Sequence, residues 1–286
     1  MAQGAETNNW TYSIKDQTSD DYGPGLYQYP TSEIFTSHEG LFDLHQFQVQ
    51  EREKHYMISF EFSKLTDPWE SKYGFSLPLI EMYIDNKEGG RTELFQKGAN
   101  VKLDPENPWD RLFKLSGWWL RVYEPSDISQ ITMDYREDIE ETPSAVKNSN
   151  IKVEDNVIKI EIKKEILGPL KDANVFLIVG SFDPFGPDHF RGVVKEPSSW
   201  SFSDQTSDNL KYAPRVIDTV LPENYKQEII LGEFKDDYPV LKPITLKSSS
   251  DKVGFFMLKN RYLFFLILLA GLAFILNKRD FFRNNK

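Results

Sequence analysis

Residues 151–162 read IKVEDNVIKIEI. Apolar and β-branched residues alternate with polar ones on both sides of Asp155-Asn156, a pair suited to a tight turn. The stretch therefore predicts two antiparallel strands joined as a hairpin. Working outward, the same period of two recurs in residues 42–49 (FDLHQFQV) and 55–65 (HYMISFEFSKL). Residues 75–84 and 112–123 are further strand candidates. Residues 175–179 are a short, fully apolar run, as expected of a strand buried on both faces. Pro, Gly, Asn and Asp cluster between the runs. One helical turn is expected at 163–167. Many short strands with turn signals predict an all-β protein, an antiparallel β-sandwich.

The chain has 286 residues, 40% of them hydrophobic, enough for a core and against wholesale disorder. It has no cysteine, which excludes a disulfide scaffold, thiolate zinc, a Cys nucleophile and an iron–sulfur cluster. The net charge of −10 argues against nucleic-acid binding, which needs basic patches. That figure hides a split. Lys259, Arg261, Lys278, Arg279, Arg283 and Lys286 against Asp280 give +5 after residue 252, leaving −15 for residues 1–252. Residues 262–276 are an unbroken apolar run, YLFFLILLAGLAFIL. As a helix it spans roughly 22 Å, and flanking lysine and arginine side chains extend its reach into a lipid bilayer. A single C-terminal transmembrane helix is the better reading; a buried core helix is the alternative.

The expected organisation is a polar segment at 1–9, a sandwich domain at 10–235 and a stalk at 236–252. A transmembrane anchor at 253–277 and a basic tail at 278–286 complete it. Basic flanks are similar on both sides, so charge does not orient the helix. The opening MAQGAETNNW has no apolar h-region. A tail-anchored protein and a mature form with its signal peptide removed both remain open on composition.

Asp16, Asp20 and Asp21 lie in one glycine-containing loop, and Asp43 opens a strand. Several carboxylates and free carbonyls in a loop suit calcium, which takes six to eight oxygens. The plain alternative is a solvated Asx-rich turn. Asp183 and Asp188, in DPFGPD, are a second metal candidate. The hexapeptide DQTSDD at 16–21 nearly recurs as DQTSDN at 204–209, which reads as two similar turns. Trp118 and Trp119 are adjacent on an expected strand, so one should enter the core and the other face outward. An outward tryptophan can stack on a pyranose ring. Trp69, Tyr73 and Trp109 sit in comparable Pro- and Asp-rich surroundings, and Arg91 can donate to sugar hydroxyls. Core or loop packing is the ordinary alternative for each. The histidines show no metal-ligand spacing, and HExxH, GxSxG, Walker A and GxGxxG motifs are absent. No catalytic residue is assigned, and an enzyme is not expected.

The series Asp20–Thr31 (DDYGPGLYQYPT), Phe35, Gly40, Phe42-Asp43-Leu44 and Phe47 resembles the opening of the C-terminal domain of glucodextranases and pullulanases. The resemblance continues through Asp67-Pro68-Trp69, Tyr73-Gly74-Phe75-Ser76, Tyr83-Ile84-Asp85, Gly89-Gly90-Arg91-Thr92-Glu93 and Gly98-Ala99-Asn100-Val101. It returns in Asp183, Gly186-Pro187, Arg191, Trp200-Ser201-Phe202 and residues 213–218 (APRVID). That family is DOMON-like and related to family 9 carbohydrate-binding modules. The resemblance implies a jelly-roll-like β-sandwich outside the cell that binds polysaccharide or cell-envelope glycan. It also implies a structural calcium, and a signal-removed topology with an extracellular domain and a short cytoplasmic tail. Two other functions follow from the same kinship. One is a surface-layer or filament-associated protein that contacts other proteins. The other is a haem-binding electron-transfer module using Met57, Met82 or Met133 as axial ligand. Core packing is the ordinary role of such methionines.

Overall fold

The alternating stretches become two antiparallel sheets. The computed structural model of the chain describes residues 10–130 and 149–247. The first sheet runs β1 (Thr11–Lys15), β2 (Leu44–Glu51), β3 (His55–Phe62), β9 (Val157–Lys163), β8 (Asn150–Glu154) in spatial order. The second runs β13 (Asp218–Val220), β10 (Asn174–Ser181), β4 (Pro78–Asp85), β6 (Arg111–Leu115), β7 (Leu120–Tyr123), with β15 (Ile244–Thr245) also on β10. Two short parallel pairs lie apart from them. These are β5 (Lys102–Leu103) with β14 (Val240–Leu241), and β11 (Val193–Val194) with β12 (Phe202–Ser203). The helices are α1 (Glu33–Thr36), α2 (Lys164–Leu167) and α3 (Gln227–Gly232).

The predicted hairpin forms β8 and β9, and Asp155 takes φ +54° at its turn, where an acidic side chain tolerates the left-handed region. On β3 burial alternates strictly, and its inward residues Ile58 and Phe60 are fully buried. Phe60 stacks on Phe47 within its own sheet and meets Phe113 of the other, with centroids 5.4 and 6.2 Å apart. The sheets therefore pack face to face, and each fully buried Phe contributes about 1.5–3 kcal/mol.

The second sheet differs. Residues 78–84 of β4 and 175–181 of β10 are buried without alternation. Their outward side chains, such as Leu79, Tyr83, Phe176 and Ile178, join a second apolar layer with Phe95, Trp109, Phe190 and Leu241 from the long connections. One sheet thus faces solvent on its outer side, and the other is covered on both sides.

Residues 112–123 form two strands rather than one, with a turn carrying Trp118. Residues 240–245, expected in the stalk, supply β14 and β15, and the folded unit extends to Leu246. Leu241, Ile244 and Leu246 are buried, and that burial draws the segment into the fold, where the extended bias around Pro239 and Pro243 suits short strands. Among the described residues no helix is long and apolar enough to cross a membrane. The expected anchor at 253–277, the tail, the segment 1–9 and Met133 lie outside those residues.

Candidate functional site

Five aspartates meet where the two sheets come together. Asp16 follows β1, Asp20 and Asp21 lie in the next loop, Asp43 precedes β2, and Asp218 begins β13. Oxygens of Asp20, Asp43 and Asp218 all lie within 4.8 Å of one another. Asp21, Asp43 and Asp218 are buried, at 1%, 2% and 0% exposure. Part of each carboxylate is engaged. Asp43 Oδ2 accepts from the Ser19 amide at 3.0 Å and contacts His45 Nε2 at 3.1 Å. Asp218 accepts from the Leu44 and Thr219 amides, both at 2.7 Å. Asp21 accepts from the Tyr29 hydroxyl and the Phe42 amide.

The other oxygens are left over. Asp16 Oδ2, Asp20 Oδ1, Asp21 Oδ1 and Asp43 Oδ1 are buried without a partner. Among the described residues no lysine or arginine forms an ion pair with any of the five, and His45 is the one basic contact. Burial, and then the Asp20 carboxylate, pushes Asp16 up to about 8. Burial, and then Asp43, pushes Asp20 up to about 7. Asp218 is raised well above the carboxylate range by burial, then by Asp16 and Asp20. Like charges crowded in a dry place favour either protons or a cation. Ligands bound about 2.4 Å from one ion lie at most about 4.8 Å apart. The donor set is all oxygen, which suits a hard cation such as calcium.

The supporting shell is tertiary. Gln227 of α3 donates its amide to the carbonyls of Asp20 and Gly23 at 2.5 and 3.3 Å, and its Oε1 accepts from the Thr219 amide at 2.7 Å. Gly23, at φ +56°, turns the loop where a Cβ would strike the Tyr27 ring at 2.6 Å.

A second constellation lies on the covered sheet. Register places Glu81 opposite Lys114, and Lys114 opposite Arg121, in one row across β4, β6 and β7. Lys114, 2% exposed, pairs with Glu81 at 2.6 Å and with Asp188 Oδ1 at 2.5 Å. Burial raises the Glu81 and Asp188 carboxyls, opposed chiefly by Lys114. Asp188 and its neighbour His189 both have left-handed backbones, φ +51° and +63°. Gly98 admits that turn, because a Cβ there would collide with Asp188 and Pro187. Planar groups then run in an unbroken strip. Trp69 stacks with Trp118 (6.3 Å), Trp118 meets Phe182 (4.8 Å), and Phe182 stacks with His189 (5.7 Å). His189 meets Trp119 (5.3 Å), and the Arg121 guanidinium lies 4.5 Å from the Trp119 ring centre. Trp69, Trp118 and His189 are half-buried, so the strip reaches the surface.

The profile of a family described as the C-terminal binding module, SLH-like, of glucodextranase matches residues 11–247, which hold both constellations. This chain belongs to that family. No curated protein matches it. The family is defined by a binding module rather than a catalytic domain.

In this glucodextranase-type module the four expected calcium ligands do converge, joined by Asp218, which sequence reasoning missed. Its signal was an acid directly after the apolar pair Val216-Ile217. The second metal candidate separates: Asp188 is held by Lys114, while Asp183 lies 3.8 Å from Arg191 Nη1 and caps the Phe185 amide at 3.0 Å. Cationic partners already occupy these acids. Trp109 is fully buried and donates to the Glu93 carbonyl at 2.8 Å, so it is a core residue of the module rather than a surface platform. Trp119 is buried in the layer over the second sheet and Trp118 is half-buried. They sit at the turn between β6 and β7, and both reach Phe182. Tyr73, half-buried, packs on the main core beside this turn, its amide donating to the Gly117 carbonyl. Arg91 pairs with Glu93 at 3.3 Å and bridges Trp109 through the backbone. The recurring hexapeptide forms a separate Asx turn at Asp204, which accepts from Thr206 and Ser207. Met82 is fully buried between the sheets and Met57 half-buried on β3. Phe182 and His189 were also unforeseen, because only the segment after β10 brings them to the tryptophans, and Arg121 was passed over although β7 sets it two residues from Trp119.

Proposed function

We propose that this protein is a glycan-binding module whose sandwich is clamped by calcium and displayed outside the cell on a C-terminal membrane anchor. The observation that carries the reading is the half-buried Trp69–Trp118 stack, within a chain of a binding-module family. A sugar packs its C–H side against aromatic rings, and neighbouring polar groups take its hydroxyls.

Calcium has a different task in this reading. Asp16, Asp20, Asp21, Asp43 and Asp218 hold it, and it supplies positive charge to a cluster that otherwise must protonate. Because β1 and β2 belong to one sheet and β13 to the other, the ion fastens the two sheets at one end. The carboxylates of Asp43 and Asp218 are already oriented by backbone amides, which reduces the ordering needed on binding. The apolar run at 262–276 and its basic flanks support the anchor.

The test is retention on immobilised neutral and acidic polysaccharides, including cell-envelope material, by wild type and Trp118→Ala. Wild-type retention lost in the variant supports the reading. A wild type retained by no polysaccharide overturns it. A second reading, contact with surface-layer proteins, is favoured by Phe185 and Trp200, which are 93% and 53% exposed. Co-sedimentation with envelope assemblies that survives Trp118→Ala and fails in Phe185→Ser supports that alternative.

A further inference from the structure

The row across β4 and β6 brings a nucleophile, an electrophile and a proton carrier into one dry place. Lys114 Nζ donates to Asp188 Oδ1 at 2.5 Å and to the Asp188 carbonyl at 3.0 Å, and lies 2.6 Å from Glu81 Oε1. The side chains of Lys114, Glu81 and Asp188 are 2%, 0% and 6% exposed. The Phe190 ring centre lies 5.5 Å from the same nitrogen. Asp188 Oδ2 is buried with no partner, so no hydrogen bond holds it in place. The left-handed backbone of Asp188 and His189 turns this carboxyl inward, and such strain is kept where a site requires it.

Two carboxyls in contact with one buried ammonium are costly as charges. Burial raises both carboxyls, Glu81 to about 7, against the pull of Lys114. Burial opposes the Lys114 charge, and Asp188 and then Glu81 outweigh it. The ammonium therefore depends on carboxylates that themselves favour taking a proton. Once one of them does, a neutral amine lies against a carboxylic acid.

We propose that Lys114 and Asp188 condense into an intramolecular isopeptide bond, with Glu81 as the catalytic proton carrier. Nζ gives a proton to Glu81 and, as the free amine, attacks Cγ of the protonated Asp188 carboxyl. The Nζ–Cγ bond forms, the Cγ–Oδ2 bond breaks, and that oxygen leaves as water. Of the four protons on the ammonium and the Asp188 acid, one stays on the amide nitrogen, two leave in the water and one ends on Glu81. Fixed contact of this kind is worth an effective concentration of about 10⁵–10⁸ M, and the site excludes the water that would reverse the step. The product replaces a buried ion pair by a neutral amide. It ties β6 to the loop after β10 across 74 residues of chain, a staple in a protein without cysteine.

The test is intact-mass and peptide mass spectrometry of the full chain, purified in detergent. Wild type is expected to be lighter than its sequence mass by one water. Trypsin should release residues 112–121 joined to residues 172–191, uncut at Lys114. Lys114→Arg keeps the cation and should show its full sequence mass. It should also run more slowly than wild type on a denaturing gel, because its chain is not looped. Glu81→Gln should be recovered unlinked, since loss of a general acid–base costs about 10²–10⁴ in rate. If Glu81→Gln does not fold, Glu81→Asp, which shortens the reach to Nζ, must lower the linked fraction. A wild type of full sequence mass, with Lys114 and Asp188 in separate peptides, overturns the proposal and leaves an ion pair. Loss of water without a joined peptide overturns it too, since that marks an aspartate cyclised on its own backbone. Glu81→Gln linked as fully as wild type overturns the role given to Glu81.

Discussion

Asp218 Oδ2 accepts the Leu44 amide at 2.7 Å across 174 residues of chain. That single bond ties the first residue of β13, an edge strand of one sheet, to the first residue of β2, the second strand of the other. Asp43, the neighbour of Leu44, points an unpartnered buried oxygen into the same place. A cation there would act on the association of the sheets, as well as on one loop.

Calcium is therefore expected to stabilise the fold. At a free concentration about a hundredfold above its dissociation constant, it adds about 2.7 kcal/mol. For a domain of this size that raises the melting midpoint by about 5–10 °C. Differential scanning calorimetry with calcium and with a chelator measures the difference. Asp43→Asn and Asp218→Asn should each remove most of the response; a response unchanged in both variants places the ion elsewhere.

The metal-free protein should have the opposite pH dependence from a typical acidic domain. Unfolded aspartates titrate near about 3.9. In the fold Asp16 stands at about 8 and Asp20 at about 7. Between about pH 4 and about pH 8 the folded state thus binds more protons than the unfolded state, and its stability falls as pH rises. Urea midpoints in chelator should drop from pH 5 to pH 8. Added calcium should restore the midpoint at pH 8 and do little at pH 5, where protons compete for the same oxygens.

Breaking the buried row should be costly. Lys114→Met leaves Glu81 and Asp188 facing each other without their cation, although Met fills most of the volume. The expected loss is about 3–5 kcal/mol, read from denaturant unfolding at pH 7. Lowering the pH toward 5 should recover part of it, because both carboxyls are raised by burial and protonate readily.

The two tryptophan environments predict opposite phenotypes. Trp109→Ala opens a cavity in the layer over the second sheet and should cost about 3–5 kcal/mol. Trp118→Ala removes a half-buried turn residue, so it should leave the unfolding midpoint within a few degrees and abolish retention by glycan. Paired melting curves and affinity electrophoresis separate the two.

Much of the sandwich was legible from alternation. The hairpin at 151–162, the strands around Phe47 and Phe60 and the buried run at 175–179 are local patterns, and period two follows from strand geometry alone. The acidic loop was legible for a similar reason: Asp16, Asp20 and Asp21 are sequence neighbours, and Asp43 opens the next alternating stretch. The extra layer over β4 and β10 was not, because its residues come from connections without periodicity. Trp109 looked like a loop tryptophan until Tyr83 and Phe95 closed on it, with centroids 5.4 and 6.3 Å away. The segment around Pro239 and Pro243 looked like a stalk until β5 and β10 paired with it.

Sequence by itself thus determined the strand-rich architecture, the binding-module family's signature series and four of the five clustered aspartates, since each is written in residues close along the chain. Only the tertiary structure decided which charges are paired and which are left over. Asp188 meets the Lys114 cation, while Asp20 meets Asp43 and Asp218 and no cation among the described residues. The reason is physical: an isolated carboxylate reads the same in any sequence, and its chemistry is set by the charges and the water that the fold places around it.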